Sequence, residues 1–245
     1  MKLAASNPII IDFDPFNTST VQQHDLGTEF KLSDDRSFRY SLAGAANLSA
    51  GKCNTAPVQK TNHMNVAVQA AAAIGATSVS LTLGATAALA NEYAEGLLVV
   101  GLTPGQGHSY KISSNPANAG SLTITVPLLD PIQVALTTSS KASLVHNVSN
   151  GTVEGTVQTI RPSGVTMTPV TAANYYFGQI HGVASTLNDG AIALGSWVTL
   201  SSSVSGAVAA MSATYGTALL TPRVGEMRVK VGVDTQYEPV FLDIA

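Results

Sequence analysis

Polar and apolar residues alternate with a period of two along much of this chain, in short runs separated by turn-forming residues. Thr28-Glu29-Phe30-Lys31-Leu32 and Phe38-Arg39-Tyr40-Ser41-Leu42 flank Ser33-Asp34-Asp35-Arg36, a pattern that predicts a β-hairpin. Ser78-Val79-Ser80-Leu81-Thr82-Leu83 alternates in the same way. Gly96-Leu97-Leu98-Val99-Val100-Gly101 is instead a continuous apolar run between glycines, which predicts a strand buried on both faces. Further strands are expected at His108-Ser109-Tyr110-Lys111-Ile112, Ser121-Leu122-Thr123-Ile124-Thr125-Val126 and Ile132-Gln133-Val134-Ala135-Leu136. Only the Ala-rich residues 85–95 contain enough helix formers for a short helix, with a loop as the alternative.

The style continues past Val148-Ser149-Asn150-Gly151-Thr152, where the punctuation changes. Strands are predicted at Tyr175-Tyr176-Phe177-Gly178-Gln179-Ile180, Trp197-Val198-Thr199-Leu200, Gly206-Ala207-Val208, Met227-Arg228-Val229-Lys230-Val231 and Pro239-Val240-Phe241-Leu242-Asp243-Ile244, with a turn at Asn188-Asp189-Gly190. Short strands at regular spacing point to an all-β chain of barrel or sandwich modules with little helix. The expected division is an extended N-terminal arm over residues 1–25, a first module over 26–148 and a second over 149–245. Within the arm, Ile9-Ile10-Ile11 and Phe13 form one sticky patch, which reads either as an ordinary terminal tail packed on its own domain or as a strand that adds to a neighbouring subunit's sheet.

Composition narrows the function classes. The 245 residues hold 12 Lys+Arg and 15 Asp+Glu, so 11% are charged, against ~25% in an ordinary soluble domain. A net charge of −3 argues against a protein that neutralises nucleic-acid phosphates. The hydrophobic share of 45% excludes disorder. The start of the chain, Met1-Lys2-Leu3-Ala4-Ala5-Ser6-Asn7-Pro8, meets a polar residue and a proline too early for a secretion signal, and no apolar stretch approaches the ~20 residues of a membrane span. Assembly in the cytoplasm is expected, with no membrane partner.

Reactive constellations are sparse. Cys53 is the single cysteine, so neither an internal disulfide nor a Cys-x-x-Cys pair can form, and it reads as a small buried hydrophobe. His24, His63, His108, His146 and His181 show no metal-binding spacing. No Gly-x-Ser-x-Gly elbow occurs. Asp34 and Asp35 read as turn residues, and Gly105-Gln106-Gly107 as a turn, because the third glycine of a dinucleotide fingerprint is missing. No catalytic residue, metal site or cofactor is expected.

Several stretches resemble the decoration (cement or head-stabilising) proteins of tailed bacteriophages. They are Leu26-Gly27-Thr28 with Phe38-Arg39-Tyr40, the corner from Ala43-Gly44-Ala45 to Ala50-Gly51-Lys52, Ala72-Ala73-Ile74-Gly75-Ala76-Thr77-Ser78-Val79, and Gly107-His108-Ser109-Tyr110-Lys111-Ile112. The last is the terminal pattern from Asp189-Gly190-Ala191-Ile192 through Val231-Gly232-Val233-Asp234-Thr235 to Tyr237-Glu238-Pro239-Val240-Phe241-Leu242. The likeness implies a β-rich protein on the exterior of an icosahedral head, bridging major capsid protein subunits and associating with itself as a dimer or trimer, without enzymatic activity. Trp197 and Tyr237 are the expected interface anchors, since aromatic residues dominate binding hot spots. A tail-tube, fibre or baseplate component shares the same style and is the main alternative. A virion glycan hydrolase or glycan-binding protein is the third reading.

Overall fold

The computed structural model describes residues 13–211 and 221–244. It is all-β, with two antiparallel sheets and one single-turn 3-10 segment at Thr61–His63. The described residues up to Ala56, with those from Gly151 onward, form one compact unit; Pro57–Asn150 form a second. Strands are numbered β1 to β16 in chain order.

The split unit contains β1 (Glu29–Lys31), β2 (Ser37–Leu42) and β3 (Cys53–Thr55). The inserted unit follows with β4 (Val66–Val68), β5 (Ser78–Thr82), β6 (Leu97–Leu102), β7 (Ser109–Lys111), β8 (Thr123–Pro127) and β9 (Lys141–Val145). The chain then returns to the first sheet with β10 (Val153–Glu154), β11 (Pro162–Thr166), β12 (Tyr175–Leu187), β13 (Trp197–Leu200), β14 (Val208–Ala210), β15 (Arg223–Glu226) and β16 (Tyr237–Asp243). Strand order is β10-β3-β11-β12-β16-β15-β13-β14 in the split unit, where β2 also pairs with β12 and carries β1. In the inserted unit it is β7-β6-β9-β4-β5-β8.

This arrangement corrects the expected boundary between modules. Residues 26–56 do not belong with 57–148, because β2 pairs with β12 and β3 pairs with β10 and β11. The early hairpin completes a sheet whose other strands come after residue 150.

Alternation explains the strands that form. In β5 and β8, Val79 faces Val126 and Leu81 faces Ile124 across the ladder, and all four are buried while their neighbours point outward. Complete burial of each such side chain contributes roughly 1.5–3 kcal/mol. The β1–β2 hairpin pairs Phe30 with Phe38 beneath a second aromatic cluster. Of the two readings of residues 85–95 the loop holds: they form turns, with Asn91 and Glu95 at positive φ, which breaks a right-handed helix. Three expectations fail. Residues 132–136 carry only an isolated bridge at Leu136. The ladder runs through Arg223–Glu226, not through residues 227–231, where Val229 and Val231 are exposed. Finally, β6 is buried on one face only, since Leu98 and Val100 are inside while Leu97 and Leu102 face out.

Both units use the same device to start their strands. A bridge residue is followed by a β-turn and, after it, by the strand or the next turn. The turn is closed by a backbone hydrogen bond from the fourth residue after the bridge to the first: Ala76 to Ala73, Glu92 to Leu89, Ser140 to Thr137, Asn174 to Thr171, Ser196 to Ala193 and Gln236 to Val233. The bridge residues then pair reciprocally through two backbone hydrogen bonds each. Ala72 pairs with Leu136 and Ala88 with Asn118 in the inserted unit; Leu48 pairs with Val170 and Ile192 with Gly232 in the split unit. The third position after the bridge adopts positive φ at Gly75, Asn91, Ala173, Gly195 and Thr235. Glycine and asparagine are natural there. Ala173 and Thr235 hold the conformation under strain imposed by the pairing.

Candidate interaction face

On the outer face of the split unit's sheet, a single register line crosses four strands. Val183 on β12 opposes Phe241 on β16, Phe241 opposes Glu226 on β15, and Glu226 opposes Trp197 on β13. The alternate residues Ala184, Val198, Val240 and Leu242 point the other way into the core, and the register shift in β15 turns Val224 inward beside them. The same strands therefore carry two apolar sets, one buried and one presented. Trp197 is 51% exposed and Tyr237, four residues before Phe241 on the same face, is 50% exposed.

Each presented ring near the line carries a cation. The Arg223 guanidinium lies 4.5 Å from the Trp197 ring centroid and is ion-paired with Asp243. That of Arg228 lies 4.4 Å from the Phe241 centroid, and its Nε donates to Glu226 Oε2 at 2.8 Å. Lys230 Nζ meets the buried carboxylate of Glu238 at 2.9 Å. A cation over an exposed ring contributes about 0.5–1 kcal/mol. The carboxylates neutralise the same cations, so the face presents apolar area with paired charge. It lacks the array of unopposed cations that phosphate binding needs.

The expected anchors are placed unequally. Ile9, Ile10 and Ile11 lie outside the described residues. Phe13 is half-buried inside its own unit, with ring centroids 5.0, 5.5 and 4.9 Å from Phe30, Phe38 and Phe177, as a tail packed on its own domain would be. Trp197 and Tyr237 share the outer face. Val183, Phe241, Arg223 and Arg228 join them without having been singled out from the sequence. Alternation revealed that β16 has two apolar sets but not which one faces out.

The inserted unit assembles a polar cluster that sequence spacing also did not reveal. His63 Nε2 lies 2.8 Å from the Thr86 carbonyl, which can only accept, so Nε2 carries the proton. Its Nδ1 is then the acceptor for the Tyr93 hydroxyl at 2.5 Å. The His146 ring packs on the other partner surface of Tyr93 at 4.5 Å. Glu92 is held by Lys60 at 2.6 Å and accepts the Leu89 N–H at 2.8 Å. Burial pushes the Tyr93 hydroxyl well above its ordinary range, with the Glu92 charge adding to it. Burial likewise lowers the His146 imidazole, against the attraction of Glu92 3.7 Å away. Among the described residues no three His, Cys, Asp or Glu side chains converge as metal ligands. The cluster is a packing element built around the buried Tyr93 ring, with the Lys60–Glu92 ion pair beside it.

Cys53 is fully buried in β3, and burial pushes its thiol up to about 12. Asp34 Oδ1 accepts the Arg36 N–H and Asp35 has a φ of 70°, as turn residues do. No helix among the described residues is long and apolar enough to cross a membrane. No family model matches this chain, and comparison with curated proteins and with solved structures finds no similar one.

Proposed function

We propose that this chain is a structural component of a tailed-phage particle that decorates the head and stabilises it by bridging neighbouring major capsid protein subunits. The observation that carries this reading is the presented line Val183, Phe241, Glu226 and Trp197 across four strands, with Arg223 and Arg228 seated on its rings. Aromatic residues and arginine are the types enriched where protein surfaces meet. A β-sheet presents them on a stiff support, which suits an activity that consists of covering a seam between subunits. Low charge reduces the desolvation cost of repeating that contact around a lattice. Self-association as a dimer or trimer belongs to the same reading, because closed local symmetry is the rule in such assemblies.

The test uses undecorated heads. Purified chain is mixed with them, and the particles are imaged by electron cryo-microscopy. Occupancy at regular lattice positions, lost on Trp197→Ala, is the expected result. Absence of bound chain under conditions where it remains folded overturns the head assignment, and binding to purified tails instead favours the tail component.

A further inference from the structure

We infer that the split unit contains a second binding site, a gap in its sheet beside β12 that takes a short extended peptide segment by main-chain pairing. The inference does not depend on the decoration reading, since a tail component or an unrelated binding protein would carry the same gap.

The gap arises from the lengths of the strands. β2 pairs with β12 only as far as His181, opposite Ser37, and ends there. His181 also pairs with Asp243, so β16 lies on the other edge of β12 and runs on in unbroken register to Leu187. The gap closes again at its far end, where the Leu187 N–H donates to the Gly51 carbonyl at 3.0 Å and the Gly51 N–H donates to the Thr166 carbonyl. Between these closures lies a cavity of about 520 Å3 whose walls include Met167, Gln179, Val183, Ser185 and Tyr237. That is within the ~300–1,000 Å3 typical of ligand sites.

The direction of the backbone groups follows from the ladder. On an antiparallel strand, alternate residues turn both N–H and C=O toward the same neighbour. Asn188 donates to the Gln236 carbonyl and the Ile180 carbonyl accepts from Ile244, so even-numbered residues serve β16. Pro239 stands opposite Ser185 and has no N–H to give, as a non-hydrogen-bonded pair requires. Val183 and Ser185 therefore turn their main-chain groups toward the gap. Among the described residues, neither N–H has a partner there.

Gln179 supplies an independent sign. Its side chain is wholly buried, and its Nε2 donates to the carbonyls of His181 and Val183, both at 3.0 Å. These bonds cap the β12 carbonyls at one end of the gap and fix the amide. Its Oε1 has no hydrogen-bond partner among the described residues. A buried acceptor left in that state costs about 1–3 kcal/mol, which a ligand donor recovers.

The free groups are thus two N–H donors from alternate strand residues and a fixed amide acceptor, beside the apolar surfaces of Met167, Val183 and the Tyr237 ring. An extended peptide presents carbonyls and N–H groups at this two-residue spacing, with side chains to either face. The open stretch of β12, from Val183 to Leu187, spans about 13 Å at ~3.3 Å per residue, so three or four peptide residues fit. Gly51 marks the limit of the site: its φ is +71°, and a Cβ there would stand 2.6 Å from the Tyr237 ring, so the ring closes that end.

The probe is a capped pentapeptide of alternating threonine and valine, titrated into the full chain and followed through backbone amide signals by NMR. Saturable shifts at Val183 and Ser185 below roughly 1 mM are expected. Methylating the peptide's central amide nitrogens should weaken binding at least about tenfold, as should Ser185→Pro, which removes an N–H that the described fold does not use. The peptide control keeps the test decisive even if the proline variant loses stability. Absence of saturation, or equal binding of the methylated peptide, overturns the inference. So does finding, in the free protein, that the Val183 and Ser185 amides exchange as slowly as that of Ala184, which would mean that the chain fills its own gap.

Discussion

The His146 imidazole should make the inserted unit lose stability as the pH falls below about 6.5. The ring is almost fully enclosed, and the charged and titratable groups facing it are Glu92, Lys60, His63 and Tyr93. Burial lowers its pKa from the ordinary 6.5, the charge and the backbone of Glu92 oppose that shift, and Lys60 and His63 add to it. With the folded pKa depressed, the unfolded chain binds the proton first. Stability is therefore unaffected well above pH 6.5 and falls as the pH drops from there toward the folded pKa, by at most about 1.4 kcal/mol per pH unit. Between pH 7.5 and pH 5.5 the loss is bounded at about 1.4 kcal/mol, a noticeable part of a domain's typical ~5–15 kcal/mol. Urea unfolding of the wild type and of His146→Phe across this range isolates the contribution, because only the slope with pH matters and a constant packing difference drops out. Trp197 lies in the other unit, so the readout should be the amide signals of Leu98 and Leu144 in the inserted core. Equal pH dependence in both proteins would refute the reasoning. A wild type that gains on the variant upon acidification would show that the Glu92 attraction outweighs burial.

Two further substitutions separate the presented face from the core. Trp197→Ala should cost less than about 2 kcal/mol, since half the side chain is already in water and one cation–π contact is lost, whereas Leu200→Ala on the same strand should cost about 2–5 kcal/mol from its buried position; urea unfolding followed by near-ultraviolet circular dichroism orders the two, and the reverse order refutes the assignment of faces. Cys53 should resist a thiol-specific disulfide reagent at pH 8 in the folded chain and react at once in denaturant, because burial both blocks access and pushes its pKa up to about 12. Rapid labelling of the native protein would place the thiol outside the core.

The parts of the fold that could be read from the sequence are those where alternation and pairing coincide. The β1–β2 hairpin, β5 and β8 are written as period-two runs, and each lies within a few residues of its expected place. Alternation misled where it continued beyond the ladder: Met227 is buried and Val229 and Val231 are exposed in a segment that pairs with nothing as a strand. The paired turns escaped notice because they constrain only a backbone conformation, filled by Gly75, Asn91, Ala173, Gly195 or Thr235, and leave no shared residue to recognise. Contacts between distant positions were equally hidden. Tyr93 sits between His63 and His146 only because β9 and the turns after Ala88 fold back together, and no local pattern encodes that. Trp197 was singled out by its type, but its exposure follows from the register with Glu226, which is fixed by β15 and β16.

Pairing of charge also decides how the presented face would meet a partner. Lys31, Arg36, Arg39, Lys52, Arg223, Arg228 and Lys230 each have a carboxylate within ion-pair distance. Exposed pairs of this kind add little stability, commonly under about 1 kcal/mol, but they cancel the field that would otherwise steer a charged partner toward the sheet. Encounter then proceeds at the unsteered rate of about 10⁵–10⁶ M⁻¹s⁻¹, and affinity must come from slow dissociation of well-packed apolar area. A subunit that meets many equivalent positions on a lattice gains from this arrangement: repeated weak contacts add through avidity, while the absence of strong long-range attraction limits capture by wrongly oriented or unrelated charged surfaces. The same neutralisation that leaves the chain without an electrostatic signature in its sequence is therefore the physical condition under which contact area alone can select the partner.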